Sequence, residues 1–113
     1  MTVLETEEFV IAAERLMTEG KRAELVMFVA ANPEAGDIVP ETGGVRKLRW
    51  AIEGRGKRGG ARVIYYYHSE RLPIVMLDMY AKNAKADLTK AERNAMKRRI
   101  PKLIRTLQPR RAK

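Results

Sequence analysis

Four cationic residues lie on predicted strands of this 113-residue chain at a spacing that suits a phosphate group. In the segment VRKLRW, Lys47 and Arg49 are two residues apart, so on a strand both point to one face and the apolar residues beside them point to the other. Arg62 opens the next predicted strand, and Lys82 ends the last one. We expect the first three to form an exposed cation cluster, which Lys82 extends if its strand bends. Because like charges placed side by side are unfavourable unless an anion joins them, this spacing favours a phosphate site.

The chemistry that suits these residue types is RNA cleavage without a metal ion. In that reaction the neighbouring 2′-hydroxyl attacks the phosphate, cations stabilise the five-coordinate transition state, and a lysine or tyrosine relays the proton. The chain has no cysteine and one histidine, and it shows no paired carboxylates and no Ser/His/Asp set. We therefore expect neither a metal site nor a cofactor.

Three consecutive tyrosines lie in the strand that Arg62 opens. Because adjacent strand residues face opposite ways, Tyr65, Tyr66 and Tyr67 cannot all be buried in one core. We expect at least one ring to lie near the cation cluster, where it could stack on a base. Tyr66 shares the face of Arg62 and is the tyrosine we assign to the candidate active site.

The positive charge is concentrated in two blocks of the chain. Residues 42–62 contain 7 basic residues and 1 acidic residue, and residues 89–113 contain 10 and 1, within a formal net charge of +9. Segregated charge of this kind is typical of a protein that binds a polyanion, most often nucleic acid, although a solvated basic surface is the alternative. The candidate RNA-binding residues outside the cluster are Arg46, Arg55, Lys57, Arg58, Lys97, Arg98 and Arg105.

A glycine-rich segment, GRGKRG at residues 54–59, matches the spacing GxGxxG. A dinucleotide fingerprint runs from a strand into a helix, whereas the element predicted next here is a strand. The segment is instead predicted to be a basic hairpin loop that either approaches a phosphate backbone or only connects two strands.

The hydrophobic pattern predicts a single α+β domain over residues 1–113, in the order β-α-α-β-β-β-α. Helical spacing occurs at residues 7–17 and 21–31, and period-two strands are predicted near residue 3 and at residues 45–52, 62–68 and 73–82. Thr89 and Glu92 form a capping box before a third helix, which Pro101 must kink or restart. We expect an antiparallel sheet packed against the two N-terminal helices, and a frayed basic tail at residues 108–113.

The N-terminal segment MTVLETEEF lacks the basic start and the apolar run of a signal peptide. No apolar run in the chain approaches the ~18 residues that a transmembrane helix requires. These patterns predict a cytoplasmic protein without a membrane partner.

The motifs GVRKLRW, GKRGGARVIYYY and MYAKNAKADLTKAE resemble the RelE/HigB superfamily of toxins from type II toxin–antitoxin systems, most of all its HigB-type branch. The resemblance covers about residues 1–107. It implies a microbial-RNase-type fold and a ribosome-dependent endoribonuclease that cuts mRNA and stops translation. It also implies a neutralising antitoxin, which is usually acidic or carries a helix-turn-helix DNA-binding domain.

The resemblance also implies roles for individual residues. In RelE, lysines on one strand, an arginine opening the next, and an arginine and a tyrosine near the C-terminus carry the activity. Lys47 and Arg49 fall on the strand lysines, and Arg62 falls on the strand-opening arginine. Residues 81–83 (AKN) fall on Gly-Lys-Arg with asparagine in the third position, and residues 88–89 stand where RelE keeps its tyrosine. The proton acceptor stays open among the two lysines and the three adjacent tyrosines.

Three functions are compatible with these patterns. The first is a metal-independent mRNA endonuclease toxin, the second is a non-catalytic toxin of the ParE type that poisons DNA gyrase, and the third is a plain RNA-binding module. The cation cluster separates them, because only the nuclease requires it.

Overall fold

The computed structural model describes residues 1–52 and 60–108 of the chain. Over these residues the chain forms a five-stranded sheet and three helices, which confirms the predicted α+β class. The elements are β1 (Val3–Glu5), α1 (Glu7–Leu16), α2 (Glu19–Ala31), β2 (Asp37–Ile38), β3 (Val45–Trp50), β4 (Ala61–Tyr66), β5 (Ile74–Ala81) and α3 (Lys90–Leu107).

The strands are ordered β1-β5-β4-β3-β2, and the sheet is mixed rather than antiparallel. Strands β2 to β5 form antiparallel neighbours, but β1 pairs with β5 in parallel, with Val3 opposite Ile74. The prediction of an antiparallel sheet was wrong at this edge because no short turn connects β1 to β5 and dictates its direction. Strand β2 was not predicted either, since two residues carry no periodicity.

A threonine caps the N-terminus of each of the three described helices. The hydroxyls of Thr6, Thr18 and Thr89 each accept a hydrogen bond from a backbone N–H of the first turn, and Glu92 completes the predicted capping box at α3. Helix α3 runs through Pro101 without restarting. None of the described helices is both long and apolar enough to span a bilayer.

The first core lies between the sheet and the two N-terminal helices. Phe9 of α1 and Leu25 of α2 are fully buried against Val63 and Tyr65 of β4 and Met76 of β5. Trp50 packs at the edge of this core and contacts the ring of Phe28, as its position on the apolar face of β3 predicted.

The second core lies on the opposite face of the sheet, under α3. Ile64 of β4 and Leu77 of β5 pack there with Leu88 and with Ile100 of the helix. Helix α3 covers an apolar part of this face that includes Val45. The cationic positions of β3 and β4 continue the same face beyond this apolar part.

An extra residue in β5 changes which face its C-terminal half presents. Ile64 pairs with Asp78, yet its neighbour Tyr65 pairs with Met76. Strand β5 therefore has one extra residue between these two pairs, opposite no residue of β4. Such a bulge inverts the alternation of side chains beyond it. Tyr80 consequently joins the α3 face and pairs directly with Arg62, where an unbroken strand would turn it to the other core.

Tyr65 ties the loop before β2 to the middle of the sheet. Its hydroxyl accepts a hydrogen bond from the Gly36 N–H at 2.8 Å and donates one to the Pro33 carbonyl at 2.8 Å. A Cβ at Gly36 would lie 3.0 Å from the Tyr65 ring and 3.1 Å from the Lys47 carbonyl oxygen, so any larger residue would press against these neighbours. The loop that enters β2 is thus held by a buried side chain.

We predict that Tyr65→Phe lowers the free energy of unfolding by about 1–3 kcal/mol, because the buried Gly36 N–H loses its acceptor. Chemical denaturation measures this change. Tyr67→Phe is the matched control, since no hydrogen bond of the Tyr67 hydroxyl is found within the described residues, and its effect should be much smaller. Equal losses in the two variants would contradict the role of the Tyr65 hydroxyl.

Candidate active site

A cation-lined pocket of about 460 Å³ opens on the α3 face of the sheet, where β3, β4 and the end of β5 lie side by side. The structure brings Lys47, Arg49, Arg62 and Lys82 together in its wall, which we call the cation pocket. Ala35 and Asp37 complete one side from the loop and strand that Tyr65 supports. All four cluster residues named from the sequence therefore meet at one place.

Two arginines of the pocket face each other directly across the sheet. Arg49 of β3 is the register partner of Arg62 of β4, and Tyr80 of β5 is the partner of Arg62 on its other side. Like charges at opposed positions destabilise a strand pair, so the protein bears an electrostatic cost here. Binding of an anion between the two guanidinium groups would remove that cost.

Arg62 is less accessible than the sequence indicated. We expected an exposed arginine at the opening of its strand, but its side chain is only 8% exposed, and one of its terminal nitrogens donates to the Ala61 carbonyl at 3.2 Å. The reason is its position on the central strand, where neighbours cover it from both sides. Burial holds the guanidinium in one place and strengthens its interaction with an anion.

Among the residues that the structure describes, one pocket cation is paired with a carboxylate and the other three are not. Lys47 donates a hydrogen bond to the Asp87 carboxylate at 3.1 Å. Within the described residues, Arg49, Arg62 and Lys82 form no ion pair. The pocket therefore carries an excess of positive charge, since its wall holds four cations and the Asp37 carboxylate, while Asp87 pairs with Lys47 beside it.

The Asp87 carboxylate is ionised under physiological conditions. The Leu88 N–H donates to it at 2.7 Å and is the main cause that lowers its pKa, with a smaller contribution from Lys47. The carboxylate is thus a permanent negative charge beside the pocket. An incoming phosphate would compete with it for the Lys47 ammonium.

The three consecutive tyrosines do not reach the cation pocket. Tyr66, which we assigned to the active site, is 3% exposed in the second core, and its hydroxyl is hydrogen-bonded to His68 at 3.0 Å. It lies on the face of Arg62, as predicted, but four residues further along β4, about 13 Å at the usual strand rise. Tyr65 is buried in the first core, and Tyr67 packs against that same core. The expectation of a tyrosine from this triplet at the cluster was wrong, because the first core and α3 cover this end of the strand.

The tyrosine that the structure places beside Arg62 is Tyr80. It is 8% exposed, and its hydroxyl has no hydrogen-bond partner within the described part of the chain. Burial, with a smaller contribution from Asp87 opposed by Arg62, raises the pKa of Tyr80 to about 12. The bulge in β5 aligns Tyr80 with Arg62.

Arg46, named among the RNA-binding candidates, serves a different purpose in the structure. One of its terminal nitrogens donates to the Gly36 carbonyl at 2.8 Å and to the Glu34 carbonyl at 3.3 Å. Alternation along β3 places it on the face opposite Lys47. Its guanidinium therefore supports the loop before β2 rather than joining the cation pocket.

The remaining RNA-binding candidates fall into two groups. Lys97, Arg98 and Arg105 are exposed on α3, as a solvent-facing basic surface requires. Arg55, Lys57 and Arg58 lie outside the described residues.

The donor set of the pocket fits an anion and not a metal ion. Within residues 1–52 and 60–108, histidine and carboxylate side chains form no group of three that could hold a metal. Guanidinium and ammonium groups are donors without a lone pair to offer a cation, and they match phosphate oxygens in charge and geometry. The arrangement can bind a phosphodiester and stabilise additional negative charge on it.

We predict that Asp87→Asn increases the affinity for a short single-stranded RNA by a factor of about two to five, because Lys47 loses its internal counter-ion at a largely solvated site. Fluorescence anisotropy at low salt measures the affinity. Glu24→Gln is the matched control, since it makes the same change in net charge at an exposed residue of α2 that does not line the pocket. Equal gains in both variants would show a general charge effect and contradict competition at Lys47.

Comparison with known protein families agrees with this geometry. The family described as the RelE toxin of the RelE/RelB toxin–antitoxin system matches residues 3–110, nearly the whole chain. Members of this family act as toxins whose partner is an antitoxin. The cation pocket, the α+β fold and this match together lead to one conclusion: the chain belongs to the RelE toxin family.

Proposed function

We propose that this chain is a ribosome-dependent endoribonuclease of the HigB type, which cuts mRNA during translation in the cytoplasm and needs no metal ion of its own. The toxin role follows from the family, and the nuclease activity is our inference from the site. Its cognate antitoxin is, on this proposal, a helix-turn-helix DNA-binding protein.

The observation that supports the nuclease best is the pairing of Arg49 with Arg62 inside a pocket that also holds Lys47 and Lys82. A toxin that acts only by binding gyrase has no need of four cations at one point of its sheet. The unfavourable contact between like charges is explained if a phosphate occupies the pocket during function.

Each cation has a role in the proposed reaction. The 2′-hydroxyl of the RNA releases its proton to water and attacks the adjacent phosphorus, the bond from phosphorus to the 5′-oxygen breaks as that oxygen is protonated, and a 2′,3′-cyclic phosphate forms. Arg62, the most buried cation, binds the non-bridging oxygens with its planar fork, and Arg49 and Lys47 stabilise the charge that develops on them.

Lys82 is our candidate for the proton transfer. Its side chain is exposed at the end of β5, forms no ion pair within residues 1–52 and 60–108, and lines the pocket. An ammonium group at this place can protonate the departing 5′-oxygen. Lys47 is the less suitable donor, because Asp87 already binds its ammonium.

The exposed cations of α3 contact ribosomal RNA on this proposal. Lys97, Arg98 and Arg105 lie on a helix whose other side packs on the second core, so the basic side is free to meet an extended phosphate backbone. Such contacts increase affinity without choosing a sequence. The cation pocket then acts on the mRNA that the ribosome presents.

We predict that Arg62→Lys lowers the rate of cleavage of ribosome-bound mRNA by about 10²–10³-fold, since it keeps the charge but removes the two-pronged donor from the transition state. Mapping of cleavage products over time measures the rate. Lysine is preferred to alanine here, because the buried Arg62 side chain contributes packing that alanine would remove.

Arg71→Lys is the control for this substitution, because Arg71 is exposed in the turn between β4 and β5 and distant from the pocket lining. It should cleave at the wild-type rate. Full activity of Arg62→Lys with an unchanged melting temperature would contradict the proposed site, and gyrase inhibition without cleavage by the wild type would support the ParE-type alternative.

We predict that cleavage persists when a chelator removes free transition metals while the ribosome keeps its magnesium. The fragments should carry a 2′,3′-cyclic phosphate or a 3′-phosphate, because the RNA supplies its own nucleophile. End-group analysis of the fragments checks this. Fragments with a 3′-hydroxyl and a 5′-phosphate would indicate attack by metal-activated water and would refute the mechanism.

A further inference from the structure

The hydroxyl of Tyr80 is an unpartnered polar group next to the cation pocket. Tyr80 pairs directly with Arg62 across β4 and β5, and the bulge places both on the α3 face. Its side chain is more than nine-tenths buried. Among the buried side-chain atoms of the described residues, only this hydroxyl and the Arg46 Nε lack a hydrogen-bond partner.

The other buried tyrosines show how unusual this is. Tyr65 uses its hydroxyl twice, with Gly36 and Pro33, and Tyr66 uses its hydroxyl once, with His68. Buried polar groups are normally paired, because burial without a partner costs stability. An unpaired hydroxyl that persists at a candidate site is therefore a reason to look for a ligand.

Charged groups surround Tyr80 next to the cation pocket, although Tyr80 is not itself part of the pocket lining. Asp87 and Arg62 both act on the titration of this hydroxyl, as do Glu92 and Asp78. Lys85 lies over the ring, 5.2 Å from its centroid, and pairs with Glu92. The tyrosine thus sits behind Arg62 and beside Asp87, the counter-ion of Lys47.

We propose that Tyr80 is a further substrate-contacting residue, whose hydroxyl donates a hydrogen bond to a non-bridging oxygen of the phosphodiester held by Arg62. The phosphate takes the place of the Asp87 carboxylate at Lys47. Tyr80 remains neutral and acts as a donor, not as the proton acceptor. This inference rests on the proposed phosphate-binding function of the cation pocket.

The test is Tyr80→Phe, which keeps the ring and removes only the hydroxyl. Because the hydroxyl is unpaired in the free protein, the melting temperature should stay equal or rise. The cleavage rate at saturating ribosome concentration should fall by about 10²-fold or more, as expected for the loss of one transition-state donor. Affinity for a short RNA oligonucleotide whose 2′-hydroxyls are replaced by hydrogen should also fall.

Thr42→Val is the matched control, because it removes another buried hydroxyl at nearly constant shape. The Thr42 hydroxyl donates to the Val39 carbonyl at 2.7 Å and accepts from the Val45 N–H at 3.0 Å. This variant should therefore lose stability while its cleavage rate and oligonucleotide affinity remain those of the wild type. The two variants thus have opposite expected signatures.

The outcomes separate this inference from the proposed function. Full cleavage by Tyr80→Phe together with a strong loss in Arg62→Lys would overturn the role of Tyr80 and leave the nuclease intact. A clear drop in the melting temperature of Tyr80→Phe would also overturn it, since the hydroxyl would then have a structural partner. If the wild type cleaves nothing, the nuclease proposal fails. The role of Tyr80 is then decided by oligonucleotide affinity alone, and an affinity of Tyr80→Phe equal to that of the wild type overturns the inference.

Discussion

The pairing of β4 with β5 is the constraint on which the rest of the structure depends. Strand β4 is buried along its entire length, so its odd and even residues must fill two different cores. Because Ile64 pairs with Asp78 and Tyr65 with Met76, β5 inserts one residue and inverts its alternation. That insertion places Tyr80 beside Arg62 on the α3 face. Without it, the end of β5 would turn Tyr80 toward α1 and α2.

The cation pocket exists where the second core ends. Helix α3 covers the apolar part of the sheet face and leaves the part with Lys47, Arg49 and Arg62 open. Stability and binding oppose each other there, since paired arginines repel one another in the free protein and attract an anion in the complex. Asp87 moderates the repulsion at one lysine only. On the proposed function, a phosphate in the pocket would compete with this carboxylate for Lys47.

The loop at the edge of the pocket is held by two residues that, from the sequence alone, would be taken for ligand-binding residues. Arg46 stands in a run of cations, yet its guanidinium binds the backbone of the loop before β2. Tyr65 stands in a run of aromatic residues, yet its hydroxyl holds the same loop. Because Ala35 and Asp37 of this segment line the pocket, both residues shape the site without contacting what enters it. Local patterns of residue type do not distinguish these supporting roles from direct contact.

The sequence by itself determined the fold class, most element positions and the four cations, because these follow from local properties. Period-two alternation placed Lys47 and Arg49 on one face, the capping box at Thr89 marked the start of the third helix, and segregated charge indicated a polyanion. The tertiary structure decided the direction of β1, the burial of Arg62 and the exclusion of Tyr66 from the site. It also decided that Tyr80 lies beside Arg62. These features depend on how strands pair and pack across the sheet, and a single inserted residue in β5 changes its register with β4 without leaving a periodic signal that can be recognised along the chain.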